Sequence, residues 1–76
     1  MKMVLIEWLD SSSYSSWHKL GNDDSITRCV SVGVLCKEDT DSVTVFLSKN
    51  DYGSIADTMS IPKVSIKRMR YLRVVK

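Results

Sequence analysis

The sequence predicts an all-β domain: a small five-stranded barrel, oligomeric, with one short 3-10 turn before the last strand. Three observations carry that expectation. Apolar and polar residues alternate through Ser25 to Lys37 and again through Ser42 to Ser48, the period of strands with one face buried. The only proline, Pro62, ends a short apolar run, where its fixed φ preorganises a tight turn. The opening run, Lys2 to Asp10, is apolar on both faces, which in so short a chain calls for a barrel that a partner covers.

In the first strand, Val4, Ile6 and Trp8 share one face, and Met3, Leu5 and Leu9 share the other. Asp10 to Leu20 is a Ser-rich loop, but Tyr14 and Trp17 within it suit a folded loop better than a linker. Gly21-Asn22-Asp23-Asp24 then forms a turn cluster. In the second strand Ile26, Arg28, Val30, Val32, Val34 and Cys36 alternate with Thr27, Cys29, Ser31, Gly33 and Leu35, and Gly33 suggests a bulge or bend. Glu38 to Asp41 turns the chain into the third strand, its hairpin partner. A polar stretch from Lys49 to Thr58 leads to a short strand, Met59-Ser60-Ile61, and the proline-marked turn follows. The last segment, with Ile66, Met69, Tyr71, Leu72, Val74 and Val75, reads as a fifth strand. A helix over Lys63 to Leu72 competes, because Arg68 and Arg70 interrupt a clean apolar face. Four strands, a single turn and a fifth strand is the order of an SH3-like barrel, and residues 1–76 need no second domain.

A chain of 76 residues, 43% of them hydrophobic, buries only about 60% of its unfolded surface, so a partner subunit is a natural source of added stability. No apolar run approaches the roughly 20 residues of a spanning helix, and the apolar start meets Glu7 too early for a secretory leader, which favours the cytoplasm and no membrane partner. Cys29 and Cys36 lie seven apart on one strand, roughly 23 Å when extended, too far for a disulfide. Both read as small buried hydrophobes. Two cysteines and the single His18, at spacings of eleven and seven, match no zinc pattern, so neither a metal nor a cofactor is expected.

Charge is unevenly placed. Met1 to Pro62 carries five basic and nine acidic residues, whereas Lys63 to Lys76 carries six basic residues and no acid. That basic stretch reads either as a solvated edge facing acidic loops or as a phosphate-contacting strip formed by Lys67, Arg68, Arg70, Tyr71 and Arg73.

The run Ile6-Glu7-Trp8-Leu9-Asp10-Ser11, then Trp17, then Cys29-Val30-Ser31-Val32-Gly33 with Lys37-Glu38, then Ile61-Pro62-Lys63, resembles a family of short bacteriophage and prophage proteins of about this length. The likeness spans essentially the whole chain, and the combined pattern is more specific than any one piece. Other members tend to carry an aromatic where this chain has Val34. The resemblance implies a small viral β protein working in the cytoplasm of an infected bacterial host. It brings no activity with it. Small phage proteins with oligomeric β folds include sponges that sequester the host's nucleotide immune signals, an anti-defence or immune-evasion role, and others that bind nucleic acid or a host protein.

A sequestering pocket needs an aromatic plane for a base, cations for phosphates and hydroxyls or carboxylates for ribose. Tyr14 or Trp17 suits the first, Arg28 and Lys63 the second, and Asp10, Ser11, Ser12 or Ser13 the third. Each has a plainer reading: Trp8 as core, Trp17 as a plug in the barrel's mouth, Asp10-Ser11 as a turn, and Arg28 as an edge charge or the partner of Glu7 or Asp10. Catalysis is the least supported class, since Asp23-Asp24 and Asp39 with Asp41 fit turns better than acid–base pairs. The expected function is therefore a homo-oligomer that binds a nucleotide-type small molecule without turning it over. The alternatives are a nucleic-acid-binding barrel using the basic strip, and an inhibitor docking on a host protein.

Overall fold

The computed structural model describes residues 1–11 and 26–75 of the chain. Seven strands run in order: β1 (Met3–Ser11), β2 (Ile26–Glu38), β3 (Ser42–Phe46), β4 (Ser48–Lys49), β5 (Ile55–Ala56), β6 (Met59–Pro62) and β7 (Ile66–Leu72), with one 3-10 turn, Lys63–Ser65, between β6 and β7. Five of them form an antiparallel sheet ordered β6-β3-β2-β1-β7, and β4 pairs with β5 as a separate ladder. The sheet is not closed, because its edge strands β6 and β7 do not pair with each other; the 3-10 turn spans the gap between them.

Alternation decides which face is buried. Val4 and Ile6 from β1, Val43 and Val45 from β3 and Ile61 from β6 form the core, with Trp8, Leu35, Ile66 and Met69 packed against it. The sheet curls around this cluster far enough for the Ser31 hydroxyl on β2 to donate to Met59 Sδ on β6, two strands away, at 3.7 Å. The curl needs room where β2 and β3 meet. A Cβ on Gly33 would lie 3.0 Å from Val45 Cβ and 3.1 Å from the Phe46 carbonyl oxygen, so glycine is the residue that lets the strands approach. Gly33 itself is not the bulge; the register of β2 on β3 shifts between Leu35 and Lys37, leaving Cys36 as the extra residue.

The last segment is a strand. β7 pairs with β1 from Met3↔Leu72 to Glu7↔Arg68 and then slips, with Trp8 opposite Ile66, so the helix over Lys63 to Leu72 does not form. The turn before it is held by the Lys63 amide donating to the Asp41 carbonyl at 2.8 Å and the Ile66 amide donating to that of Lys63. The polar stretch after β3, read as a turn region, contains the β4–β5 ladder. Asn50 Oδ1 accepts from the amides of Tyr52 and Ser54, and Gly53 supplies a φ of 85° that other residues rarely adopt. Neither cysteine is buried in the core: Cys29 is half-buried and Cys36 exposed, and both are free thiols.

The β2–β3 turn carries a pH dependence. Asp39 Oδ1 accepts the amides of Asp41 at 2.9 Å and Ser42 at 2.8 Å. These bonds, with the ammonium of Lys37 nearby, hold its carboxyl below the usual aspartate value. A lowered folded-state pKa stabilises the fold above the unfolded value of about 3.9, and that contribution disappears as the pH falls through the lower folded one. Asp39→Asn is therefore expected to flatten the loss of stability below about pH 4. Denaturant melts of both chains at stepped pH measure it, and parallel acid limbs would contradict the assignment.

Candidate functional site

A cleft of about 520 Å³ opens where β2, β1 and β7 lie side by side. Glu7, Trp8 and Leu9 of β1, Arg28, Cys29 and Val30 of β2, and Lys67 and Arg68 of β7 line it. Strand pairing explains the convergence. Leu9 stands opposite Arg28, and Glu7 stands between Val30 on one side and Arg68 on the other, so these five residues share the face of the sheet turned away from the core. The slip between Glu7 and Trp8 leaves Lys67 as the bulge residue, which brings a third cation to the rim.

The lining carries three cations and one carboxylate. Glu7 Oε2 accepts from Arg68 Nε at 3.1 Å, a largely exposed pair of the kind worth about 0–1 kcal/mol, so an incoming anion competes for Arg68 at little cost. Leu9 and Val30 supply an apolar floor. Trp8 also lines the cleft, while its indole packs on the core and its Nε1 donates to Ser31 Oγ at 3.0 Å. Cations around an apolar floor suit a ligand that joins phosphate to a flat ring.

The residues expected to bind a ligand are only partly brought together. Arg28 is in the cleft. Asp10 pairs with Thr27 at the end of β1, so its side chain lies on the opposite face from Arg28, and it is Arg68 that pairs with Glu7. Ser11 pairs with Ile26 at the last described rung of the same ladder. Ser12, Ser13, Tyr14 and Trp17, like His18, lie outside the described residues. Lys63 is apart from the cleft, ion-paired with Glu38 at 3.2 Å, ten residues along β2 from Arg28.

The basic strip divides as well. Lys67 and Arg68 join the cleft, and Arg70, opposite Leu5, shares the outward face. Tyr71, opposite the buried Val4, points to the other face with the ammonium of Lys2 5.4 Å above its ring, and Arg73 lies beyond the end of β7. Sequence reasoning missed Leu9 and Val30 as site residues, although the apolar outward faces of both strands signalled them. Among the described residues no group of three or more His, Cys, Asp or Glu is arranged to hold a metal, and no helix is long and apolar enough to cross a membrane. Comparison with family models, with curated proteins and with solved structures finds no match to this chain.

Proposed function

We propose that the protein is a homo-oligomeric binder of a nucleotide-type small molecule that does not transform it, and that its sheet is an SH3-like small barrel left open at one seam. The observation that carries the reading is the convergence of Arg28, Lys67 and Arg68 around the Leu9–Val30 floor. At about 520 Å³ the cleft falls within the 300–1,000 Å³ range of small-ligand sites. The strand order, with the last strand returning to pair with the first after one 3-10 turn, supports the barrel. Binding without turnover is favoured because Glu7 is the one carboxylate among the described lining residues, with no second carboxylate or imidazole beside it to share acid–base work. The phage origin, the cytoplasmic setting and the capture of a host immune signal rest on the motif resemblance.

The nucleic-acid reading is weaker because strand alternation sends Tyr71 and its neighbour Arg70 to opposite faces. Isothermal calorimetry and native mass spectrometry with ADP-ribose, a cyclic dinucleotide and pyrophosphate separate the readings. Saturable binding by the unaltered protein is expected. Arg28→Ala and Arg68→Ala should each weaken it by about tenfold or more, the worth of a charge-assisted phosphate contact, while Glu7→Gln preserves or strengthens it. Absence of binding to all three probes would overturn the proposal. Oligonucleotide binding that falls steeply with salt and depends on Arg70 and Arg73 would favour the alternative.

A further inference from the structure

On a regular antiparallel strand, neighbouring side chains point to opposite faces, so two consecutive residues do not serve one outward cleft. β7 departs from that rule at one place: Arg68 stands opposite Glu7 and Ile66 opposite Trp8, and Lys67 is left over between them. Ile66 packs on the core, whereas Lys67 and Arg68 both line the cleft. The extra residue thus sets an ammonium and a guanidinium next to one another on a single flank, and both residues are exposed.

The two flanks of the cleft differ. Arg28 of β2 stands opposite Leu9, and β2 lies about 10 Å from β7, two strand spacings, with β1 between them. The apolar floor, Leu9 with the exposed Val30, belongs to the β1–β2 side. Two cations therefore stand together at β7, and the third lies across the floor from them.

Among the described lining residues the carboxylate is Glu7, whose Oε2 accepts from Arg68 Nε at 3.1 Å. A ligand with a single negative charge would only exchange one monoanion for another at Arg68. A terminal phosphate monoester carries about −1.5 to −2 charges near neutral pH and three acceptor oxygens, enough to engage Lys67 and Arg68 at once. The planar fork of arginine and the point charge of lysine are both suited to phosphate oxygens.

We propose that Lys67 and Arg68 form the seat of a terminal phosphate, which makes the cleft selective for a mononucleotide-type phosphate monoester over a cyclic phosphodiester. The assignment rests on the ligand-binding function proposed above and narrows it. The bulge chooses the form of the phosphate, and the ring of the ligand lies toward Leu9 and Val30, with Arg28 on its far side.

Calorimetry with AMP and cyclic AMP tests the assignment, because the two share base and sugar and differ in whether the phosphate is terminal. AMP is expected to bind about tenfold or more tightly than cyclic AMP, the worth of one charge-assisted contact. Deletion of Lys67 makes Glu7↔Arg68 and Trp8↔Ile66 consecutive rungs of a regular ladder, so the variant should keep its β-sheet circular dichroism and lose the preference. Lys67→Gln leaves the bulge in place and removes its charge; it should weaken AMP more than cyclic AMP, and it decides the matter if the deletion fails to fold. Ribose phosphate, which has no base to lay on Leu9 and Val30, should bind more weakly than AMP. Equal affinities for AMP and cyclic AMP, a preference that survives both Lys67 variants, or ribose phosphate binding as tightly as AMP would overturn the assignment and leave ligand binding standing. If neither nucleotide binds, the assignment falls, and the response to pyrophosphate tells whether the function proposed above falls with it.

Discussion

Ile6→Ala is expected to remove about 2–5 kcal/mol of folding stability, the range for truncating a fully buried aliphatic side chain. Ile6 is 0% exposed near the middle of β1, between Ser31 on β2 and Met69 on β7, and belongs to a core of only a few residues with Val4, Val43, Val45 and Ile61. Folded domains hold about 0.05–0.15 kcal/mol per residue, so a loss of this size is a large share of the total for so short a chain. At roughly 4–8 °C per kcal/mol, the melting temperature should fall by roughly 8–40 °C. Ile6→Val, which removes one methylene, should cost about 0.5–1.5 kcal/mol. Urea melts of the three chains give the values directly, and an alanine variant within about 1 kcal/mol of the parent would contradict the assigned core.

Gly33→Val is expected to disrupt the junction of the two halves of the sheet. The first atom of any side chain there meets Val45 Cβ at 3.0 Å, the Phe46 carbonyl oxygen at 3.1 Å and Val45 Cγ2 at 3.2 Å. Neither a backbone oxygen nor the Cβ of a β-branched residue in the core can step aside as the tip of a flexible chain would. Gly33→Ala already overpacks, at about 1–3 kcal/mol, and the two further methyls of valine should exceed that. Val45→Ala removes the Cγ2 contact and should recover part of the loss in Gly33→Val, although it opens space of its own. Thermal melts of the single and double variants measure the coupling, and strict additivity would mean that the two residues do not press on one another.

The strands were legible wherever one face is buried. Alternation put the second strand within a residue of its observed bounds at both ends, and Pro62 marked the 3-10 turn because its geometry leaves few alternatives. β4 and β5 were not legible, since two-residue ladders among exposed residues carry no periodic signal. The competing helix at the last segment has a specific cause. Ile66 and Met69 both pack on the core although they stand three positions apart, a helical spacing, because the bulge at Lys67 shifts the parity of β7. The unclosed seam lay beyond sequence reasoning too, because pairing between β6 and β7 depends on how far the sheet curls.

The site was legible residue by residue but not as a set. Arg28 and the pair Lys67-Arg68 stood in competing readings, forty residues apart in the chain, and β1 lying between β2 and β7 makes them neighbours. Lys63 looked available beside its proline, and its carboxylate partner, Glu38, sits across a turn that sequence spacing does not connect to it.

The pairing of β1 with β7 also bears on synthesis. Ile6 leaves the ribosome long before Met69, its neighbour on β7. At about 5–20 residues per second, β1 waits about 3–13 s with one edge bare and its apolar face incompletely covered. For that interval the nascent chain is a substrate for chaperones and a hazard to other nascent copies, and strong expression should strain its folding before any defect shows in the finished protein.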